Sequence, residues 1–192
     1  TFTVARKIDL SVTADQGAQV LQVTPGQLAA QIQFRLENLG NARTSGSPAQ
    51  DFNINVVNTG DLAGATALTY SATATTTLGE YYVTVDGAAY EVGNPTAISL
   101  DPNDTATIRV IANIPGTSTD GLADVFTVTA VAVDSGTAVT ESRTADLDDI
   151  DIVFADAEST TAMVGSTAAT PLDAALNGQA AAETRMIVSA PQ

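Results

Sequence analysis

Residues 30–36 read Ala-Gln-Ile-Gln-Phe-Arg-Leu, so that Ala30, Ile32, Phe34 and Leu36 fall on one side and Gln31, Gln33 and Arg35 on the other. Successive side chains of an extended chain point to opposite faces, so this alternation describes a strand with one face in a core and one in solvent. A helix would scatter the same apolar residues around its circumference. The alternation recurs at Ile8, Leu10 and Val12, at Phe52, Ile54 and Val56, and at Ile108 and Val110. Residues 125–133 form a nearly unbroken apolar run that predicts a central strand, and residues 149–154 supply another strand. Turn signals punctuate these runs: Thr24-Pro25-Gly26, Asn94-Pro95 and Asp134-Ser135-Gly136. Asp86-Gly87 joins two alternating runs and predicts a hairpin with a type I′ turn. Asp101-Pro102-Asn103-Asp104 has Asp first and Pro second, which predicts a type I turn. About ten strands at this spacing predict an all-β sandwich.

One stretch reads as helix. Thr170 is placed as an N-cap, Pro171 as the first helical residue and Asp173 near the positive end of the helix dipole; Leu172, Ala175 and Leu176 share a face, and Asn177-Gly178 is a stop. A second alanine-rich helical turn is expected over residues 179–183, before the chain returns to strand at Arg185. Residues 61–79, rich in Ala, Thr and Gly, have too little periodicity to assign. The expected division is an N-terminal strand over 1–12, a sandwich body over 13–165, and a short helix with a C-terminal strand over 166–192.

Composition narrows the chemistry. The 192 residues include no Cys, His or Trp, which removes disulfides, thiol nucleophiles and imidazole acid–base work. Apolar residues are 44 % but aromatics only 5 %, so the core is to be built from small and β-branched side chains, which suits sheets. A net charge of −15 repels nucleic acid and anionic membranes. No apolar run approaches the roughly 20 residues that span a bilayer, and no signal peptide is evident, so an exported chain would be in its mature form. Carboxylate pairs are the remaining route to catalysis, but the acidic residues fall mostly in turns and on exposed strand faces, so no enzyme is expected. No cofactor is implied.

The acidic run Asp146, Asp148, Asp149 and Asp151 is a candidate calcium site. Calcium takes about six to eight converging oxygens, and no complete Asp-x-Asp-x-Asp-Gly loop is present. The alternative is an exposed strand face opposite Ile150, Ile152 and Phe154.

The phrases VTPGQ (23–27), QIQFRLENLGN (31–41) and QDFNINVVNTG (50–60) resemble the immunoglobulin-like repeat of bacterial surface proteins. The later phrases LDPNDTATIRV (100–110) and DIDIVFADA (149–157) are similar to the repeats of secreted alphaproteobacterial proteins. The resemblance implies an immunoglobulin-like β-sandwich and an extracellular or cell-surface location. Repeats of this kind follow one another as beads, each starting with a strand like TFTVARKIDLSV, and the final TRMIVSAP is similar to such a start. A lone repeat with a strand at each end suits strand exchange between copies, and so a structural subunit of an extracellular filament or surface array. Phe2, Val4, Arg6, Lys7, Ile8, Leu10, Val12, Met186 and Val188 are the interface residues this expects. The alternative is that residues 1–12 form the first strand of the chain's own sheet. Arg6-Lys7 reads as a latch onto an acidic strand of a neighbour, such as residues 146–154, or as a solvated pair worth well under about 1 kcal/mol. The other functional reading is an adhesive or calcium-dependent binding module with host or matrix glycans as partners.

Overall fold

A computed structural model describes residues 5–15, 20–41, 49–142, 152–155 and 177–189. Among them are fourteen strands: β1 (Arg6–Ile8), β2 (Leu10–Ala14), β3 (Leu21–Val23), β4 (Ala30–Asn38), β5 (Gln50–Gly60), β6 (Thr69–Tyr70), β7 (Glu80–Val85), β8 (Ala88–Tyr90), β9 (Ile98–Leu100), β10 (Thr105–Ala112), β11 (Ala123–Asp134), β12 (Thr137–Ala138), β13 (Ile152–Phe154) and β14 (Gln179–Val188). One sheet runs β2-β4-β10-β7-β6, with β8 paired to β7. The second runs β3-β14-β11-β5-β9, with β12 paired to β11. Strands β1 and β13 pair with each other outside both sheets.

The alternating residues point where the sequence puts them. Ala30, Ile32, Phe34 and Leu36 of β4, Phe52, Ile54 and Val56 of β5, and Ile108 and Val110 of β10 are all buried in one core. The apolar run at 125–133 lies in β11, flanked on both sides by β14 and β5. The two sheets meet face to face: the Tyr81 ring from β7 stands edge-on to the Phe126 ring from β11, centroids 5.2 Å apart. Phe34, Phe52 and Phe126 are the largest fully buried side chains. Alanines at 106, 112, 130, 132, 180 and 182 fill the remaining inward positions.

The β7–β8 turn has Asp86 at φ 48° and Gly87 at φ 86°, both positive as a type I′ turn requires. The turn at 101–104 differs from expectation. Asp104 N–H donates to Asp101 O at 2.9 Å, but Asn103 has φ 70°, which makes it type II. Asn tolerates that conformation, and it lets Asn103 N–H donate to Asn38 O at 2.7 Å.

The C-terminal expectation is corrected in part. Residues 170–176 of the expected helix lie outside the described residues. Residues 179–183, expected to be helical, are the first half of β14, in register with Val131 to Thr127 of β11. Ala180 and Ala182 sit fully buried in the core, with Ala180 opposite Ala130. Hydrogen bonding to a central strand and burial between two sheets outweigh the few tenths of a kcal/mol by which Ala favours helix.

Two core tyrosines give the fold an alkaline limit. Burial, with the charges of Tyr70 and Asp124 adding, pushes the Tyr81 hydroxyl from 10.0 up to about 12. Burial also raises Tyr90, opposed by the hydrogen bond it accepts from the Ile54 amide, with Tyr70 adding. In the unfolded chain both ionise near their ordinary value, so above it the unfolded state holds fewer protons than the folded one. Stability from these groups is therefore fully present below about pH 10 and is lost as pH rises above it, for Tyr81 through about 12. Urea midpoints measured across that window should fall, and the fall should be shallower in a Tyr81→Phe, Tyr90→Phe double variant. Equal slopes would contradict it.

Candidate assembly site

The N-terminal strand sits in a cradle assembled from distant parts of the chain. Strand β1 runs parallel to β13, with Arg6, Lys7 and Ile8 opposite Ile152, Val153 and Phe154. The Ala155 amide donates to Ile8 O at 2.7 Å. On its other side lies the end of β4 and the residues after it. Leu39 N–H donates to Asp9 O at 2.8 Å and Asn41 N–H to Lys7 O at 3.2 Å. The Asn41 side chain extends this ladder, its Oδ1 accepting from Lys7 N–H at 2.7 Å and its Nδ2 donating to Ala5 O at 2.8 Å. A Cβ on Gly40 would lie 2.5 Å from Lys7 O, so the close approach of β1 needs a residue without one. Asn38, buried, accepts from Gly40 N–H at 3.0 Å and donates to Leu100 O at 2.9 Å, which fixes the platform.

These contacts give the Asn-x-Gly-Asn phrase at 38–41 a physical role that its use as a fold marker did not reveal. Sequence reasoning found the motif and missed that it holds the N-terminal strand.

Arg6 is the second surprise. It is not a solvated residue: it is 8 % exposed, and its contacts lie within its own chain. Its Nη1 donates to Asp134 Oδ2 at 2.7 Å and its Nη2 to Asp134 Oδ1 at 3.1 Å. Nη2 also bonds Gln50 Oε1. Gln50 is itself buried and oriented by donating from Nε2 to Asp51 O at 2.8 Å and Val133 O at 3.0 Å. Burial lowers the Arg6 pKa from its ordinary range, and the Asp51 carboxylate opposes that shift. A two-pronged guanidinium–carboxylate pair has a defined direction, so the socket at the start of β5 and the end of β11 recognises arginine by geometry as well as charge. Lys7 faces away and pairs with Asp9, just beyond its own strand, at 2.8 Å.

The other expected interface residues divide into two groups. Ile8, Leu10, Val12, Met186 and Val188 are buried in the chain's own core. Leu10 and Val12 lie in β2, paired with Asn38 and Leu36 of β4. Met186 and Val188 lie in β14, whose two edges are taken by β11 and, in parallel, by β3. This is the arrangement of a first and a last strand in the chain's own fold. Phe2, Val4 and the candidate calcium ligands Asp146, Asp148, Asp149 and Asp151 lie outside the described residues. Among the described residues no cluster of three or more acidic side chains is arranged to hold a metal, and no helix is long and apolar enough to cross a membrane.

A shallow depression marks the outer face of the first sheet, lined by Gln31, Tyr82, Thr84, Arg109 and Ile111. Arg109 Nε donates to Gln33 Oε1 at 3.0 Å, and Gln33 in turn bonds Asp15.

No protein-family model and no curated protein matches the chain. Among solved structures it is similar to a family 123 glycoside hydrolase from Clostridium perfringens, with 6 % identity and a TM-score of 0.43, over 95 % of this chain and 27 % of that one. It is also similar to the CooA pilin subunit from enterotoxigenic Escherichia coli, with 9 % identity and a TM-score of 0.40 over 96 % of this chain and 99 % of that one. A third is the periplasmic chaperone SfaE, with 11 % identity and a TM-score of 0.36 over 95 % of this chain and 57 % of that one. The chain thus spans about a quarter of the hydrolase.

Proposed function

We propose that the protein is a non-enzymatic structural subunit of an extracellular or cell-surface bacterial filament or array, an immunoglobulin-like repeat of the secreted alphaproteobacterial kind whose copies join by exchanging the N-terminal strand. The observation that carries this reading is that β1 belongs to neither main sheet, so it can leave its cradle without opening either sheet. Asp9 separates β1 from β2 and is the hinge. A neighbour's β1 would make the same contacts with Asn41, Asp134 and β13 that the chain's own β1 makes, so exchange conserves the interactions and costs mainly entropy. Because the donated strand and the cradle are different surfaces, the contact is head-to-tail and propagates.

Leu10 and Val12 belong to β2, which pairs with β4 in the first sheet, so a truncation that tests the idea must stop at Ile8. Negative-stain imaging with light-scattering mass should show filaments of the full chain and monomers of a chain lacking residues 1–8. A full chain that stays monomeric at every concentration would defeat the polymer reading. The depression at Tyr82 and Arg109 supports a second reading, an adhesive module. A monomeric chain that binds host or matrix glycans, and loses them on Arg109→Ala, would favour it.

A further inference from the structure

Between residues 2 and 12 the even-numbered positions read Phe, Val, Arg, Ile, Leu, Val, an apolar series interrupted once, by Arg6. Where the structure describes this series, it is the inward one: Arg6, Ile8, Leu10 and Val12 are all buried. Burial of one face forbids a slip of one residue, which would turn every inward side chain outward, but a slip of two presents the same apolar face. Arg6 removes that freedom. Its guanidinium is met by both carboxylate oxygens of Asp134 and by Gln50 at one end of the second sheet. A slip of two residues would take it away from that socket, in one direction into the place of Ile8, which is buried in the core. A charge buried without its partner costs far more than a misfitted methyl group.

We propose that Arg6 sets the register of the N-terminal strand and that Asp134 with Gln50 is the socket that reads it, so that a strand lacking an arginine at this position docks in several registers. For a strand arriving from another copy the inference rests on the exchange reading above; for the chain's own strand it does not. Arg6 is then a specificity residue of the cradle. It selects which strand docks and how far in, while Asn41 and β13 hold any extended backbone by main-chain bonds.

The chain has no cysteine, so introduced pairs report on register without interference. In the full chain, Lys7→Cys with Val153→Cys joins residues that face each other in the native register. Ala5→Cys with Val153→Cys joins residues that meet only after a slip of two. With Arg6 present, oxidation should close the first pair and leave the second open. Arg6→Leu should raise the yield of the slipped pair by at least about tenfold, and Asp134→Asn, which keeps the shape and weakens the ion pair, should raise it in part. If neither variant changes which pair closes, the register proposal is overturned. Non-reducing gels separate this from the exchange reading. A crosslinked ladder marks exchange between copies and a crosslinked monomer marks the chain's own strand, whichever pair has closed. A single native register in monomers would keep the lock and defeat exchange; mixed registers in a ladder would do the reverse.

Discussion

Replacing Asp124 by Ala is expected to cost the fold about 4 kcal/mol, a large part of the roughly 5–15 kcal/mol that holds a typical domain together. Asp124 is completely buried near the start of β11 and makes no ion pair among the described residues. It accepts three hydrogen bonds instead. Leu62 N–H reaches Oδ1 at 3.0 Å, while Leu68 N–H and Asn58 Nδ2 reach Oδ2 at 2.7 and 3.0 Å. Asn58 is in β5 itself, and the two amides belong to the segment after it, which carries Leu62 and Leu68 into the core. Truncation to Ala would leave the buried Leu62 and Leu68 amides without an acceptor, while the half-buried Asn58 Nδ2 keeps Leu68 O, and each orphan costs about 1–3 kcal/mol before relaxation. Asp124→Asn separates the contributions. An amide oxygen in place of Oδ2 keeps two bonds, and its NH₂ group then faces the Leu62 amide, so the loss should be about half that of the Ala variant. Urea titration should rank wild type above Asn above Ala, with amide exchange quickened first at Leu62 and Leu68. An Ala variant within about 1 kcal/mol of wild type would show that water enters and satisfies the donors.

The same residue shows where sequence reasoning stops. Strand faces were legible because burial of β4, β5 and β10 follows from neighbours one and two positions away. Asp124 has no such local signature. It stands beside an apolar run, where an aspartate ordinarily marks the solvent end of a strand, and its partners lie up to 66 positions away. Nor did residues 61–79 offer any period, since their order comes from Asp124, from Ser118, whose hydroxyl donates to Leu62 O at 2.6 Å, and from Asn58, which donates to Leu68 O at 2.9 Å.

The assembly site divides along the same line. Asn38, Gly40 and Asn41 were legible as a phrase, but what they hold is set by a β1 that lies 34 positions earlier in the sequence. Arg6 was read by its neighbour, as half of a basic pair. Read by parity instead, it belongs to the inward series with Ile8, Leu10 and Val12, and that signal was present in the sequence. Residues 179–183 failed for the opposite reason: alanine's helical preference is local and weak, while the β11 ladder that overrides it is long-range. Turn chemistry needing both central residues at positive φ, as at Asp86-Gly87, was read correctly because nothing outside the dipeptide has to cooperate. At Asn103 the backbone answers to Asn38, and the turn changed type.

Phe126→Ala should be comparably severe, about 4 kcal/mol, while Phe126→Leu should cost about 1.5 kcal/mol. The usual escape from a large-to-small change is collapse of the surroundings into the cavity. Here that escape is restricted. The neighbouring strands β5 and β14 are locked to β11 by continuous ladders along most of their length. The core around the sheets leans on alanines at 106, 112, 130, 132, 180 and 182, which have no rotamers with which to fill a void. With aromatics only 5 % of the chain, few other rings are available to take over the volume. The edge-on contact with Tyr81, at an interplanar angle of 79°, adds about 1 kcal/mol that Leu cannot recover. A double-mutant cycle of Phe126→Leu with Tyr81→Leu should therefore return a coupling of about 1 kcal/mol. Equal losses for Phe126→Ala and Phe126→Leu would mean that ring identity dominates over volume. A coupling near zero would place the two rings as independent fillers of a core whose sheets are held together elsewhere.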